Sequence, residues 1–156
     1  MPREKESDMT ERRAFLRTAG ALALLGLVPR VRAQGADLVT VYKSPTCGCC
    51  SEWVKHIRAS GLRVATHDLG DVSPIRHRYG VPGALASCHT AVVAGYAIEG
   101  HVPAADIQRL LRERPKIIGL AVPGMVIGSP GMEQGPPQRY ATLAFDERGY
   151  RIFAQH

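Results

Sequence analysis

The sequence predicts an α/β domain with a mixed central sheet flanked by helices. Three observations carry this. "DLVTVYKS" (Asp37 to Ser44) places Leu38, Val39, Val41 and Tyr42 in an alternating run, as a half-buried strand requires. "CGCCSEWVKHIRASG" follows, with Cys50, Trp53, Val54 and Ile57 recurring at helical spacing. Further on, "ALASCHTAVV" and "YAIEGHV" are two strand-forming runs joined at Ala94-Gly95, which marks a hairpin.

The first strand is broken by Pro45 and Thr46, so the cysteines open the helix behind it. That helix ends at Gly61, a residue suited to the left-handed position after a helix. "LRVATHDL" (Leu62 to Leu69) predicts a second strand. "SPIRHRYG" predicts a short helix with Ser73 as cap and Pro74 in its first turn. Gly80-Val81-Pro82 then leads into the hairpin. A last helix starts at Pro103, carries the stripe Ile107, Leu110 and Leu111, and stops before Pro115. "GLAVPGMVIGSPGMEQGPPQ" (Gly119 to Gln138) predicts a long Gly/Pro loop holding Met125 and Met132. A loop of that length inside a compact domain points to a purpose beyond connection. "RYATLAFDERGYRIF" predicts a closing hairpin turning near Glu147-Arg148-Gly149. The order of elements, with thiols at the first helix start, resembles the thioredoxin fold. That resemblance implies a cis peptide before Pro82, beside the cysteines.

The chain has 156 residues, enough for one domain, and residues 1–33 are set apart from it. They hold the twin-arginine pattern "ERRAFLR", then the apolar run Ala19 to Val28, then a small-residue cleavage site after Ala33. An apolar run of about ten residues is too short to span a bilayer. The expectation is a twin-arginine export signal over residues 1–33 and a mature domain over 34–156, located in the periplasm. Residues 1–33 carry +3 of the formal +6, leaving about +3 on the mature part. No Lys/Arg cluster interleaved with aromatics is present, which excludes nucleic acid as the expected partner. No second apolar span follows, so no membrane association is expected once the signal is cleaved.

Export determines how the cysteines are read. Free thiols do not persist in an oxidising compartment, so those that remain form disulfides, do redox chemistry or bind metal. A plain two-disulfide framework fits poorly, because Cys47, Cys49 and Cys50 crowd into four residues. Cys47 and Cys50 have C-x-x-C spacing at a helix start, where dipole and free N–H groups favour thiolate. That serves a disulfide oxidoreductase and a metal ligand equally. Cys49 is the discriminating residue. A third thiol would reshuffle a redox disulfide, whereas soft thiolates select Cu(I), zinc or iron–sulfur clusters. Adjacent helical residues point about 100° apart, so Cys49 and Cys50 suit bridging of several ions better than chelation of one.

Cys88 offers a fourth sulfur on the strand expected beside the thiol turn. Strand alternation would turn His89 to the opposite face, so His89 is read as a core or supporting residue. His101, in "EGHVP", is read as the supporting histidine of the site, and Trp53 as core. His56, His67 and His77 are scattered and read as structural or exposed. Met125 and Met132 are candidate thioether donors to Cu(I), since their surroundings are Gly and Pro rather than an apolar stripe.

The joined motifs C-G-C-C, S-C-H-T, E-G-H-V-P and G-S-P-G-M resemble those of the CopG-type periplasmic copper-resistance family, a bacterial domain of unknown function with a C-x-C-C motif. The resemblance covers nearly all of residues 38–153. It implies a thioredoxin-like fold and a copper site of Cys47, Cys49, Cys50 and Cys88. Val126 departs from the proline usual after G-M, and Ala94 from a common aspartate.

The expected function is therefore copper resistance or copper handling. Cu(I) would be held by Cys47, Cys49, Cys50 and Cys88, with Met125 and Met132 on a covering loop, as a thiolate-bridged polynuclear cluster. Copper ions are the expected ligand, and periplasmic efflux proteins or cuproproteins the expected partners. No catalytic residue is assigned. Two rival functions stand beside it: a thiol-disulfide oxidoreductase using Cys47 and Cys50, and a metallochaperone carrying a single Cu(I).

Overall fold

The computed structural model describes residues 37–156; the expected export signal lies outside the described residues. Seven strands form one mixed sheet in the order β2-β1-β3-β4-β5-β6-β7. The strands are β1 (Leu38–Lys43), β2 (Arg63–Asp68), β3 (His89–Val93), β4 (Tyr96–Gly100), β5 (Gly119–Val122), β6 (Ala141–Asp146) and β7 (Gly149–Gln155). Among the described residues three helices, α1 (Gly48–Ala59), α2 (Ser73–Arg78) and α3 (Ala104–Glu113), and a 3₁₀ turn at Gly83–Leu85 complete the order. β1 pairs parallel with β2 and antiparallel with β3, and β4 pairs parallel with β5. The predicted α/β class with a mixed sheet is observed.

The central strands are covered on both faces, whereas the edge strands β2 and β7 stay largely exposed, and strand alternation assigns residues to each face. On one face Val39, Val41, Ala91, Val93, Ile98, Leu120, Val122 and Ala144 pack with Trp53, Val54 and Ile57 of α1 and Ile107 and Leu110 of α3. On the other, Ala97, Ala121 and Phe145 pack with Val81 and Leu85 from the segment after α2. The predicted stripe of α1 is the buried one: Cys50, Trp53, Val54 and Ile57. Trp53 also donates from Nε1 to the Val102 carbonyl at 2.8 Å, so the thiol helix is fixed to the chain leaving β4. His56 reinforces this, accepting from the Ala104 backbone N–H at 3.1 Å at the start of α3.

Three expectations need correction. The Gly/Pro loop does not begin at Gly119, because Gly119–Val122 is the fully buried strand β5. Its signal is weak because it is only four residues long and opens on a glycine. Ser73 does not cap α2 but is its first residue, and Asp71 Oδ1 instead accepts the Ser73 N–H at 2.8 Å. The strand expected over "ALASCHTAVV" starts late, at His89, since Gly83–Leu85 turns as a 3₁₀ helix after Pro82.

The hairpin turn behaves as the sequence implies. Ala94 and Gly95 both take left-handed backbone, at φ 49° and 88°. Two such residues in succession make the mirror-image turn that asparagine-glycine favours and that alanine occupies at a cost. Ala94→Asn is expected to raise stability by up to about 1 kcal/mol in urea denaturation, by relieving that cost.

Candidate metal centre

α1 begins immediately after the β1 turn, with Cys47 as its N-cap residue in extended backbone and no side chain capping it. No acidic residue lies in its first turn, so the free N–H groups and dipole act on the cysteines alone. Cys49 is half-buried, and Cys50 is turned into the core. Cys47 and Cys50 are joined by a disulfide, and Cys49 and Cys88 are free thiols. Cys49 Sγ is 3.5 Å from Cys47 Sγ and 3.9 Å from Cys88 Sγ. All four sulfurs lie within 4.8 Å of one another. Reduction of the one disulfide therefore leaves four thiols converging from two chain segments 38 to 41 positions apart.

Two histidines complete the cluster. Cys88 Sγ lies 3.1 Å from His101 Nε2 and 3.5 Å from His89 Nδ1. Cys88, His89 and His101 form a second group with donor atoms within 4.8 Å of one another. His101 Nδ1 is 2.7 Å from the Pro130 carbonyl, which only accepts, so the ring proton sits on Nδ1. Nε2 then presents its lone pair to Cys88. Burial lowers the His101 pKa and drives His89 down to about 3, helped by His101, Arg76 and Lys43. Both rings are therefore neutral at pH 7, the form in which imidazole is a ligand. Burial, then the neighbouring Cys49, pushes Cys88 up to about 12, so it rests as a thiol until a cation displaces its proton.

Strand alternation would turn His89 to the face opposite Cys88, but its Nδ1 lies 3.5 Å from Cys88 Sγ, and the ring is fully buried. Alternation applies only within a strand, and Cys88 precedes β3. The His89 ring packs at a tilt against Trp53, with ring centroids 4.4 Å apart, and meets the His101 ring edge-on at 5.1 Å. Its Nε2 is buried with no hydrogen-bond partner. His101 Nε2 reaches the Cys88 sulfur directly. His67 stacks on Tyr42, away from the centre.

The Gly/Pro loop is laid against the cysteines. A Cβ on Gly131 would lie 2.7 Å from the Cys49 carbonyl and 2.8 Å from the Trp53 nitrogen, at φ +86°. Only glycine permits that approach. Met132 is half-buried directly beyond it. Met125 is 57% exposed, next to Gly124, whose carbonyl accepts from Ser87 Oγ at 2.5 Å. The structure thus brings Cys47, Cys49, Cys50 and Cys88 together, tethers the methionine loop beside them, and leaves Met125 largely in solvent.

Comparison with known proteins now adds to this geometry. Two solved structures of copper resistance protein CopG are similar to this chain. Form 2 is 43% identical over 77% of this chain and 98% of its own, with a TM-score of 0.73. The chain belongs to the CopG-type copper-resistance family. Form 1 agrees, at 44% identity, 76% and 96% coverage and a TM-score of 0.72. Residues 85–132 match the family model described as protein of unknown function, DUF411. That span holds Cys88, His89, His101, Met125 and Met132 but not the C-x-C-C group. A search of curated proteins gives no match. The family and the cysteine cluster together support copper handling.

Proposed function

We propose that this protein is an exported, periplasmic copper-binding protein that holds Cu(I) on Cys47, Cys49, Cys50 and Cys88 as a thiolate-bridged cluster. The observation that carries this is the convergence of four sulfurs within 4.8 Å of one another. Thiolates are soft donors that bridge Cu(I) readily, and three of the four sit at an uncapped helix start that favours their ionised form. The neutral Nε2 of His101 offers a nitrogen donor beside Cys88, and the loop offers the Met132 thioether next to Gly131, with the exposed Met125 to be drawn in only by movement of the loop. The order β2-β1-β3-β4, with β1 parallel to β2 and the thiols opening α1, supports a thioredoxin-like core extended by β5, β6 and β7. Twin-arginine export, copper efflux proteins or cuproproteins as partners, and a cis Pro82 belong to the same reading.

The test is copper per chain. The reduced protein is titrated anaerobically with Cu(I) against a competing chelator. More than one tightly held ion per chain is the expected result, and a single ion would instead make it a metallochaperone. The Cys47–Cys50 disulfide favours a second reading, a thiol-disulfide oxidoreductase. No retained copper, with a readily reduced Cys47–Cys50 bond, would establish that reading in place of the first.

A further inference from the structure

Glu99 is a charged residue at the heart of the sheet that no copper ligand requires. It is fully buried, and three donors converge on its carboxylate. Arg76 Nε at 2.8 Å and the Ser87 backbone N–H at 2.7 Å reach Oε1, and Thr90 Oγ1 at 2.6 Å reaches Oε2. Arg76 continues through Nη2 to the Ser87 carbonyl. The Ser87 residue is therefore gripped at both ends, its N–H by the carboxylate and its C=O by the guanidinium. Its hydroxyl holds the methionine loop at Gly124. A Cβ on Gly100 would fall 2.6 Å from Ser87 Oγ, so β4 presses directly on this residue.

Ser87 is the residue before Cys88, and β3 does not begin until His89. The ladder that fixes a strand residue is absent at Cys88, the one cysteine that does not come from the start of α1. A buried ion pair is a poor route to stability, since an apolar pair of equal volume serves as well. An apolar pair cannot hold a peptide by its N–H and its C=O. We propose that Glu99 and Arg76 are positioning residues, which hold Cys88 against Cys49 and His101 so that its sulfur shares the copper, without touching the metal. This rests on the copper reading above.

The experiment loads the reduced protein with Cu(I) anaerobically, alkylates it, and maps each cysteine by mass spectrometry. Arg76→Lys keeps a cation beside Glu99 but loses the second arm to Ser87. Glu99→Gln keeps an acceptor for Ser87 and Thr90 but loses the charge that binds Arg76. In both, Cys88 is expected to alkylate at least about tenfold faster, as loss of supporting contacts around metal ligands commonly gives. Cys47, Cys49 and Cys50 stay protected. Thr90→Val removes one donor to Glu99 without releasing Ser87, and is expected to leave Cys88 protected. Equal protection of Cys88 in Arg76→Lys and Glu99→Gln overturns the proposal. So does loss of protection at all four cysteines in step with a fall in Tm. If the unsubstituted protein protects no cysteine, the copper reading fails. Positioning is then judged from Cys88 alkylation in the metal-free protein with its disulfide intact, where a tenfold acceleration in Arg76→Lys supports it and an equal rate overturns it.

Discussion

Cys49→Ser is expected to abolish cluster binding, taking copper from more than one ion per chain to at most one. The argument is geometric. Cys49 Sγ is 3.5 Å from Cys47 Sγ and 3.9 Å from Cys88 Sγ, so it touches both a neighbour at the α1 start and the cysteine just ahead of β3. Serine places a hard hydroxyl there, a poor donor to Cu(I). Cys47 and Cys50 keep their spacing, so their disulfide still forms and opens. An oxidoreductase would be largely unaffected by the change, and a copper cluster would be lost. Cys49 is half-buried, so folding stability should move by no more than about 0.5 kcal/mol. Copper counted under chelator competition, with a urea melt on the same samples, checks both statements.

Gly131→Ala is expected to destabilise the protein by at least about 2 kcal/mol and to weaken copper binding with it. The left-handed backbone at φ +86° costs an alanine about 1–2 kcal/mol by itself. The added methyl also meets backbone, the Cys49 carbonyl at 2.7 Å and the Trp53 nitrogen at 2.8 Å, neither of which can rotate away. Overpacking of that kind adds about 1–3 kcal/mol. Relief comes only by lifting the loop, which breaks the 2.7 Å bond from His101 Nδ1 to Pro130 and frees the imidazole beside Cys88. Gly124→Ala separates the two costs. It has the same left-handed backbone, at φ +71°, and nothing within 4 Å of the new methyl. A urea melt should show only the smaller, conformational loss for Gly124→Ala. Equal losses at the two positions would argue against close packing of the loop on the thiol helix.

Local pattern carried much of the fold. The alternation of Leu38 to Lys43, the Cys50–Ile57 stripe and the Ala94-Gly95 turn each follow from neighbours in the chain, and each is found where expected. β5 escaped because its evidence is not local. Gly119–Val122 becomes a strand by pairing with β4 and β6, and its own four residues show no period. The cysteines were legible because their spacing is itself chemical information. His101 was singled out by its motif, but its orientation depends on a carbonyl 29 positions away, and the position of His89 depends on where β3 starts. The Glu99 network was equally hidden, since its partners come from two other segments, Arg76 from α2 and Ser87 and Thr90 from the chain around the start of β3.

On the copper reading, the Cys47–Cys50 disulfide ties the holding of metal to the supply of electrons. With the bond closed, two of the four sulfurs are bonded to each other and only Cys49 and Cys88 remain as thiols. Opening it takes two electrons and returns two donors at once, so on the copper reading capacity changes in a step rather than gradually. If the protein is exported as proposed, the cell would then need to provide reductant as well as copper to fill it. The chain that holds most copper would be the one most recently reduced or the one that crossed the membrane already loaded.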